Sequence, residues 1–255
     1  MDAFKHWYEQ LQQAATELGQ PYIDVILDQT GGVWGYPPYA LVPRIHPAMP
    51  WYSLFTGTPE EHLLQQAPLL MRMDLQTWQH KALLEDLFEG WRLESRLMLL
   101  LSPLPFEALS QRLTALLQME LGGCGGILRF YDPRIFPELL SGILTDEQSA
   151  PFLQTANFWG WLDRDGQQWW LKGDCHPRQM GGELPPVLRV TDAQYELIGC
   201  ISDANQLLDD QRFASLGDSL EQRFAALHAL AREKSAANDF GMFPDYVMQQ
   251  LARKE

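Results

Sequence analysis

Ile127-Leu128-Arg129-Phe130-Tyr131-Asp132-Pro133-Arg134-Ile135 is the densest stretch of the 255-residue chain. An apolar run carrying Arg129 ends at Asp132-Pro133, and a second arginine follows at once. Asp before Pro marks a helix start, because Asp can cap free N–H groups of a first turn and Pro fits the first helical position. The pattern predicts a strand over 127–131 running into a helix, with two cations and one carboxylate at the junction. Buried arginines are nearly always paired, and carboxylate is the natural partner. A bidentate pair between Arg129 and Asp132 would fix the junction, and losing either member of a buried pair costs roughly 3–5 kcal/mol. The functional alternative for Arg129, Asp132 and Arg134 is a site for an anion or a peptide carboxylate. Scaffolding is the favoured reading.

Upstream of this stretch, helical and extended patterns alternate. Phe4, Trp7, Tyr8, Leu11, Ala15 and Leu18 recur at helical spacing over 2–18, and Gly19 and Pro21 end the run. Strands are expected at 22–27, 51–55, 68–73 and 96–101. Helices are expected from the Thr58-Pro59-Glu60-Glu61 capping box to Gln66, around 78–90 and over 105–117. Residues 119–121 and 127–131 read as a hairpin around the glycine cluster 122–126. Downstream, Thr145-Asp146-Glu147-Gln148 starts a further helix. A second hairpin over 158–162 and 168–171 turns at Asp165-Gly166. Residues 173–186 are rich in Pro and Gly, and a third capping box, Thr191-Asp192-Ala193-Gln194, opens a helical tail. The fold class that follows is α/β: a mixed sheet with flanking helices in residues 1–172, a linker over 173–190 and a small all-helical lobe in 191–255.

Composition restricts the function. The formal charge is −14, from 19 basic and 33 acidic residues. Such a surface repels phosphate backbones, so nucleic acid is not an expected partner. The N-terminus has no secretory h-region and no apolar run reaches the roughly 18 residues of a membrane span, so a cytoplasmic protein without membrane insertion is expected. Cys124, Cys175 and Cys200 are odd in number and far apart, which fits reduced thiols.

Candidate chemistry is thin. The glycine cluster lacks the Gly-Lys-Ser/Thr of a phosphate loop. Cys175-His176 could form a nucleophile and base, but adjacent side chains seldom face one another. The six histidines show no metal-ligand spacing. Catalytic residues, metal ligands and cofactors are therefore expected to be none. Trp159, Trp161, Trp169 and Trp170 crowd one hairpin, where Trp159 and Trp161 share a side; core packing is the favoured reading. Trp34, Tyr36, Trp159 and Trp161 are the candidate partner contacts if aromatic surfaces do the binding. A small-ligand or carbohydrate-binding module built on them is the alternative function.

The stretch Arg129-Phe130-Tyr131-Asp132-Pro133-Arg134 resembles the signature of the type VI secretion effector adaptor/chaperone family. Trp51 to Thr58, the Ala67-Pro68-Leu69-Leu70 strand, the helix to Leu117, Thr145 to Gln148 followed by Trp159, and the helical tail resemble further segments of that family, in order. Pro137, Phe152-Leu153-Gln154 and the glycine-rich turn depart from its pattern. The resemblance implies a non-enzymatic role: binding a cognate effector protein in the cytoplasm of a Gram-negative bacterium and loading it onto the VgrG spike protein. It makes the six-residue stretch a family signature with a structural role.

Overall fold

The structure is a computed structural model and describes residues 3–30, 45, 48–63, 66–176 and 183–253. A six-stranded sheet forms its middle layer, built from β1 (Tyr22–Leu27), β2 (Trp51–Ser53), β3 (Leu69–Asp74), β4 (Leu97–Leu101), β7 (Phe158–Leu162) and β8 (Gln168–Lys172). The strand order is β2-β3-β1-β4-β7-β8, and every neighbouring pair is antiparallel. A three-stranded sheet holds β5 (Gln118–Leu121) between β6 (Cys124–Ile127) and β9 (Leu188–Arg189); it is mixed, because β5 and β9 run parallel. The expected α/β class with flanking helices is the observed one.

Side-chain alternation sends β1 to two different cores. Ile23, Val25 and Leu27 face α1 (Ala3–Glu17) and α2 (Trp78–Trp91), where Phe4, Trp7, Leu11, Leu84 and Phe88 are buried. Ile26 faces the opposite side, with Leu70, Met98, Leu100 and Trp159. That second face is covered by α3 (Phe106–Leu117), the 128–136 junction, α5 (Asp146–Leu153), α6 (Asp192–Gln206), α7 (Leu220–Ala236) and α8 (Phe243–Ala252). The result is three layers, helices on sheet on helices.

The C-terminal helices are packed into the sheet's own core. Ile201, Leu227 and Val247 belong to the same buried cluster as Ile26 and Leu100. The segment expected to be a bare linker contributes β9, whose Val190 N–H also donates to the Glu120 carbonyl at 2.9 Å. The division expected at 173–190 therefore separates compositions, not cores.

Two local expectations are corrected. The first hairpin turns on Gly122-Gly123 alone, both with positive φ (56° and 84°), as a two-residue turn of type I′ requires. Cys124, Gly125 and Gly126 are therefore strand, and the strand expected over 127–131 ends at Ile127. Among the described residues the Thr58 segment makes a 3₁₀ turn at Glu61–Leu63. Its Glu61 carboxylate takes the Gly57 N–H at 3.3 Å instead of closing a box on Thr58.

Candidate functional site: a braced junction

At the junction the backbone leaves the small sheet at Leu128, whose N–H still bonds the Leu117 carbonyl at 2.8 Å. Leu128, Phe130 and Tyr131 are buried while Arg129 keeps 41% of its side chain exposed. Phe130 meets Trp159 edge-on, with ring centroids 6.1 Å apart. Asp132 then starts a turn. Its carbonyl accepts the N–H groups of Ile135 and Phe136 at 2.9 and 3.0 Å, and its carboxylate accepts the Arg134 N–H at 3.0 Å. The helix proper begins only at Phe136, in α4 (Phe136–Glu138), and continues into a π-helical turn over Leu139–Ile143.

The bidentate pair expected between Arg129 and Asp132 is formed by Arg134 instead. Arg134 Nε and Nη2 donate to Asp132 Oδ1 and Oδ2 at 2.9 and 2.8 Å. The Asp-Pro-Arg turn folds Arg134 back over Asp132, a geometry that Arg129, on the extended side, cannot reach. Arg129 Nη2 lies 3.4 Å from Asp132 and donates to Asp28 Oδ2 at 2.8 Å. Asp28, buried at the end of β1, also takes Arg96 at 3.4 Å and the N–H and hydroxyl of Thr30. Arg96 in turn pairs with Glu94 at 2.8 Å. Burial works against the charge on Arg129, but Asp28 and Asp132 outweigh it and push its pKa up. The Asp132 hydrogen bond does the same for Arg134.

The network continues into the helical layer. Arg164, in the β7–β8 turn, donates to the Arg134 carbonyl at 3.1 Å, to Asn205 at the end of α6 at 3.0 Å, and to Glu221 on α7 at 2.9 Å. Its guanidinium stacks 3.5 Å from the Phe224 ring centroid. Asp165 next to it caps α7, accepting the Leu220 and Glu221 N–H groups at 2.8 and 3.1 Å. Chemically this is a set of interlocking ion pairs and hydrogen bonds tying β1, β4, the junction, α6 and α7 together. A cavity of about 210 Å³ beside Arg96, Arg134 and Arg164 opens on it.

A second brace, Arg72 to Asp24, links β3 to β1 at directly opposed positions, with bonds of 2.7 and 2.8 Å. Asp24 is fully buried, and burial outweighs Arg72 in pushing its carboxyl up to about 6.

The other candidates fall outside this network. Trp159 and Trp161 are both buried, on the core side, so neither offers a partner a surface in this structure. Trp169, on the adjacent strand, is the exposed tryptophan of that hairpin. Trp34 and Tyr36 lie outside the described residues. Cys175 is buried, and burial pushes its thiol up to about 11; the neighbouring His176 pairs with Asp174 at 2.9 Å. Among the described residues no group of three or more His, Cys, Asp or Glu side chains is arranged to hold a metal ion. Asp28, Arg96, Arg164 and Glu221 were missed from sequence. The available signals were an acid closing the apolar run 22–27 and the charge-dense turn Asp163-Arg164-Asp165-Gly166.

Fold and site define a three-layer α/β protein centred on a charged brace. Residues 31–150 match the model of a family described as a domain of unknown function, DUF4123, which is associated with type VI secretion effector adaptors. The match takes in the whole stretch from Arg129 to Arg134. No curated protein and no solved structure matches the chain. Among the described residues no helix is long and apolar enough to cross a membrane.

Proposed function

We propose that this chain is a non-enzymatic adaptor of a type VI secretion system, which holds a cognate effector and loads it onto the VgrG spike. The observation that carries the reading is the match over residues 31–150, with the signature-like stretch Arg129 to Arg134 inside it. In this reading the stretch is a structural hallmark, because its charges are engaged within the molecule and its aromatics are core. The partner surface lies elsewhere. The carbohydrate-binding alternative is weakened by the burial of Trp159 and Trp161, two of the four aromatics on which it is built. A hydrolase built on Cys175 is disfavoured by a buried thiol that stays protonated at neutral pH.

The test is co-purification of the full chain with the VgrG protein and the effector encoded by neighbouring reading frames, together with effector delivery after deletion of this gene. The adaptor reading expects a complex and loss of delivery. Absence of both complexes with delivery intact overturns it.

A further inference from the structure

Strand β6 is a free sheet edge: among the described residues it pairs with β5 and with no other strand. The two-residue turn at Gly122-Gly123 makes Leu121–Cys124 a hydrogen-bonded pair, and bonded pairs alternate from there. Met119–Gly126 is the next, and the Leu128-to-Leu117 bond at 2.8 Å continues the series. Gly125 and Ile127 therefore turn their N–H and C=O groups away from β5. No hydrogen bond from a described residue reaches these outward groups.

Edge strands usually carry a lysine, a proline or a bulge that blocks further pairing. Cys124-Gly125-Gly126-Ile127 carries none of them. Nor do Gly125 and Gly126 have an internal reason to be glycine. Neither has positive φ. A Cβ on Gly125 would meet nothing within 4 Å, and one on Gly126 would make an ordinary 3.8 Å contact with Met119. Glycine weakens a strand and often marks close approach of another backbone. Gly125 also lies opposite Glu120 and leaves the path from the open edge to that carboxylate clear. Among the described residues Glu120 forms no ion pair; it shares a groove wall with Glu147 and with Arg189, its register partner on β9, whose side chain is exposed.

We propose that β6 is a docking edge for an extended segment of a partner polypeptide, which adds as a further strand through the outward groups of Gly125 and Ile127 and places a Lys or Arg opposite Gly125, within reach of Glu120. Backbone pairing supplies the affinity in this mode, and the aligned side chain supplies the selection. The net charge of −14 steers a basic segment toward the chain. The inference rests on the chain being a protein-binding adaptor.

The probes are two acetylated, amidated heptapeptides of alternating threonine and valine, one with a central lysine and one with a central glutamate. Each is titrated into the isotope-labelled full chain while amide exchange is followed. The lysine peptide is expected to bind saturably and to slow exchange at Gly125 and Ile127, with the glutamate peptide weaker by about tenfold. Gly125→Pro, which removes an outward N–H and no bond to β5, and Gly125→Lys, which installs a blocking side chain, should each abolish the effect with melting unchanged. No protection of these amides at millimolar peptide, equal binding of the two peptides, or protection that instead follows self-association of the chain overturns the proposal. If Gly125→Pro still captures VgrG and effector like the wild type, this edge is not the dock and the adaptor reading survives. If the wild type captures neither, that reading fails, while the titration still decides the edge.

Discussion

Arg129 and Asp132 sit three residues apart and carry different loads. Asp132 is buried and anchors both the Arg134 guanidinium and the turn that starts α4. Asp132→Ala is expected to cost about 3 kcal/mol, because it strands Arg134 and frees a turn N–H. Arg129→Ala should cost about 1 kcal/mol, since its side chain is partly solvated and Asp28 keeps Arg96 and Thr30. Urea denaturation of the two variants checks the order, and equal losses would contradict it. The arginines and the aspartate were legible in the sequence as a charged knot, but their pairing was not. Asp28 reaches Arg129 across 101 positions, through a strand register that no local pattern reveals. His228 gives a pH test. Burial, with help from Arg232 and Arg164, lowers its pKa to about 4. Between pH 6.5 and 4 the unfolded chain takes up a proton that the folded chain refuses, so stability falls as pH drops through that window. The loss at pH 5 is about 2 kcal/mol. Asp24 acts in the opposite sense: its folded pKa is raised from 3.8 to about 6, so its contribution is lost as pH rises through 6. The difference between wild type and His228→Gln isolates the histidine: the wild type's melting temperature should fall relative to the variant's between pH 7 and pH 5.

Among the elements, the capping boxes show what sequence can and cannot specify. Thr145/Gln148 and Thr191/Gln194 form complete boxes at the starts of α5 and α6. The same type of signal at Thr58 yields one 3₁₀ turn, because the chain must return to pair β3 with β2, and Leu54 already bonds Pro68 at 3.0 Å. The two complete boxes also touch: Gln194 Nε2 donates to Gln148 Oε1 at 2.6 Å and to the Ile143 carbonyl at 2.8 Å. Gln148→Ala and Gln194→Ala should therefore be non-additive, with a coupling of about 1 kcal/mol in a double-mutant cycle. Additive losses would mean that the boxes act separately. In the second hairpin, Gly160 lies under Trp170, whose ring would be 2.6 Å from an added Cβ. Gly160→Ala is expected to destabilise by about 2 kcal/mol by displacing that ring, with the change visible in tryptophan fluorescence. Sequence alternation placed Trp159 and Trp161 on one side, but it could not say that Gly160 makes room for an aromatic on the other.

For the molecule as a whole, the change of composition after residue 172 suggested two lobes, whereas packing joins them. The helical tail reads as separate because its periodicity is self-contained; its buried residues, however, belong to the same cluster as the second face of the sheet, joined to it through the turn at Leu139–Ile143. A fragment of residues 1–172 should expose the side of the junction that the tail helices cover, around Leu139 and Ile143, bind a hydrophobic dye and aggregate, while the full chain unfolds in one transition. A soluble fragment with a sharp melt of its own would restore the two-lobe view.

The unequal origin of the two cores bears on synthesis at the ribosome. Among the described residues the core beneath α1 and α2 draws on residues 4–101, with Leu162 as the one buried member from further along. The four adjacent strands β2, β3, β1 and β4 and both helices of that layer can thus assemble as soon as about the first hundred residues emerge. The opposite face is covered in stages, first by α3, the junction and α5, and is complete only when residues up to Val247 arrive. Nascent chains arrested between these points should carry an ordered half-sandwich with one sticky side, the species a ribosome-bound chaperone would meet.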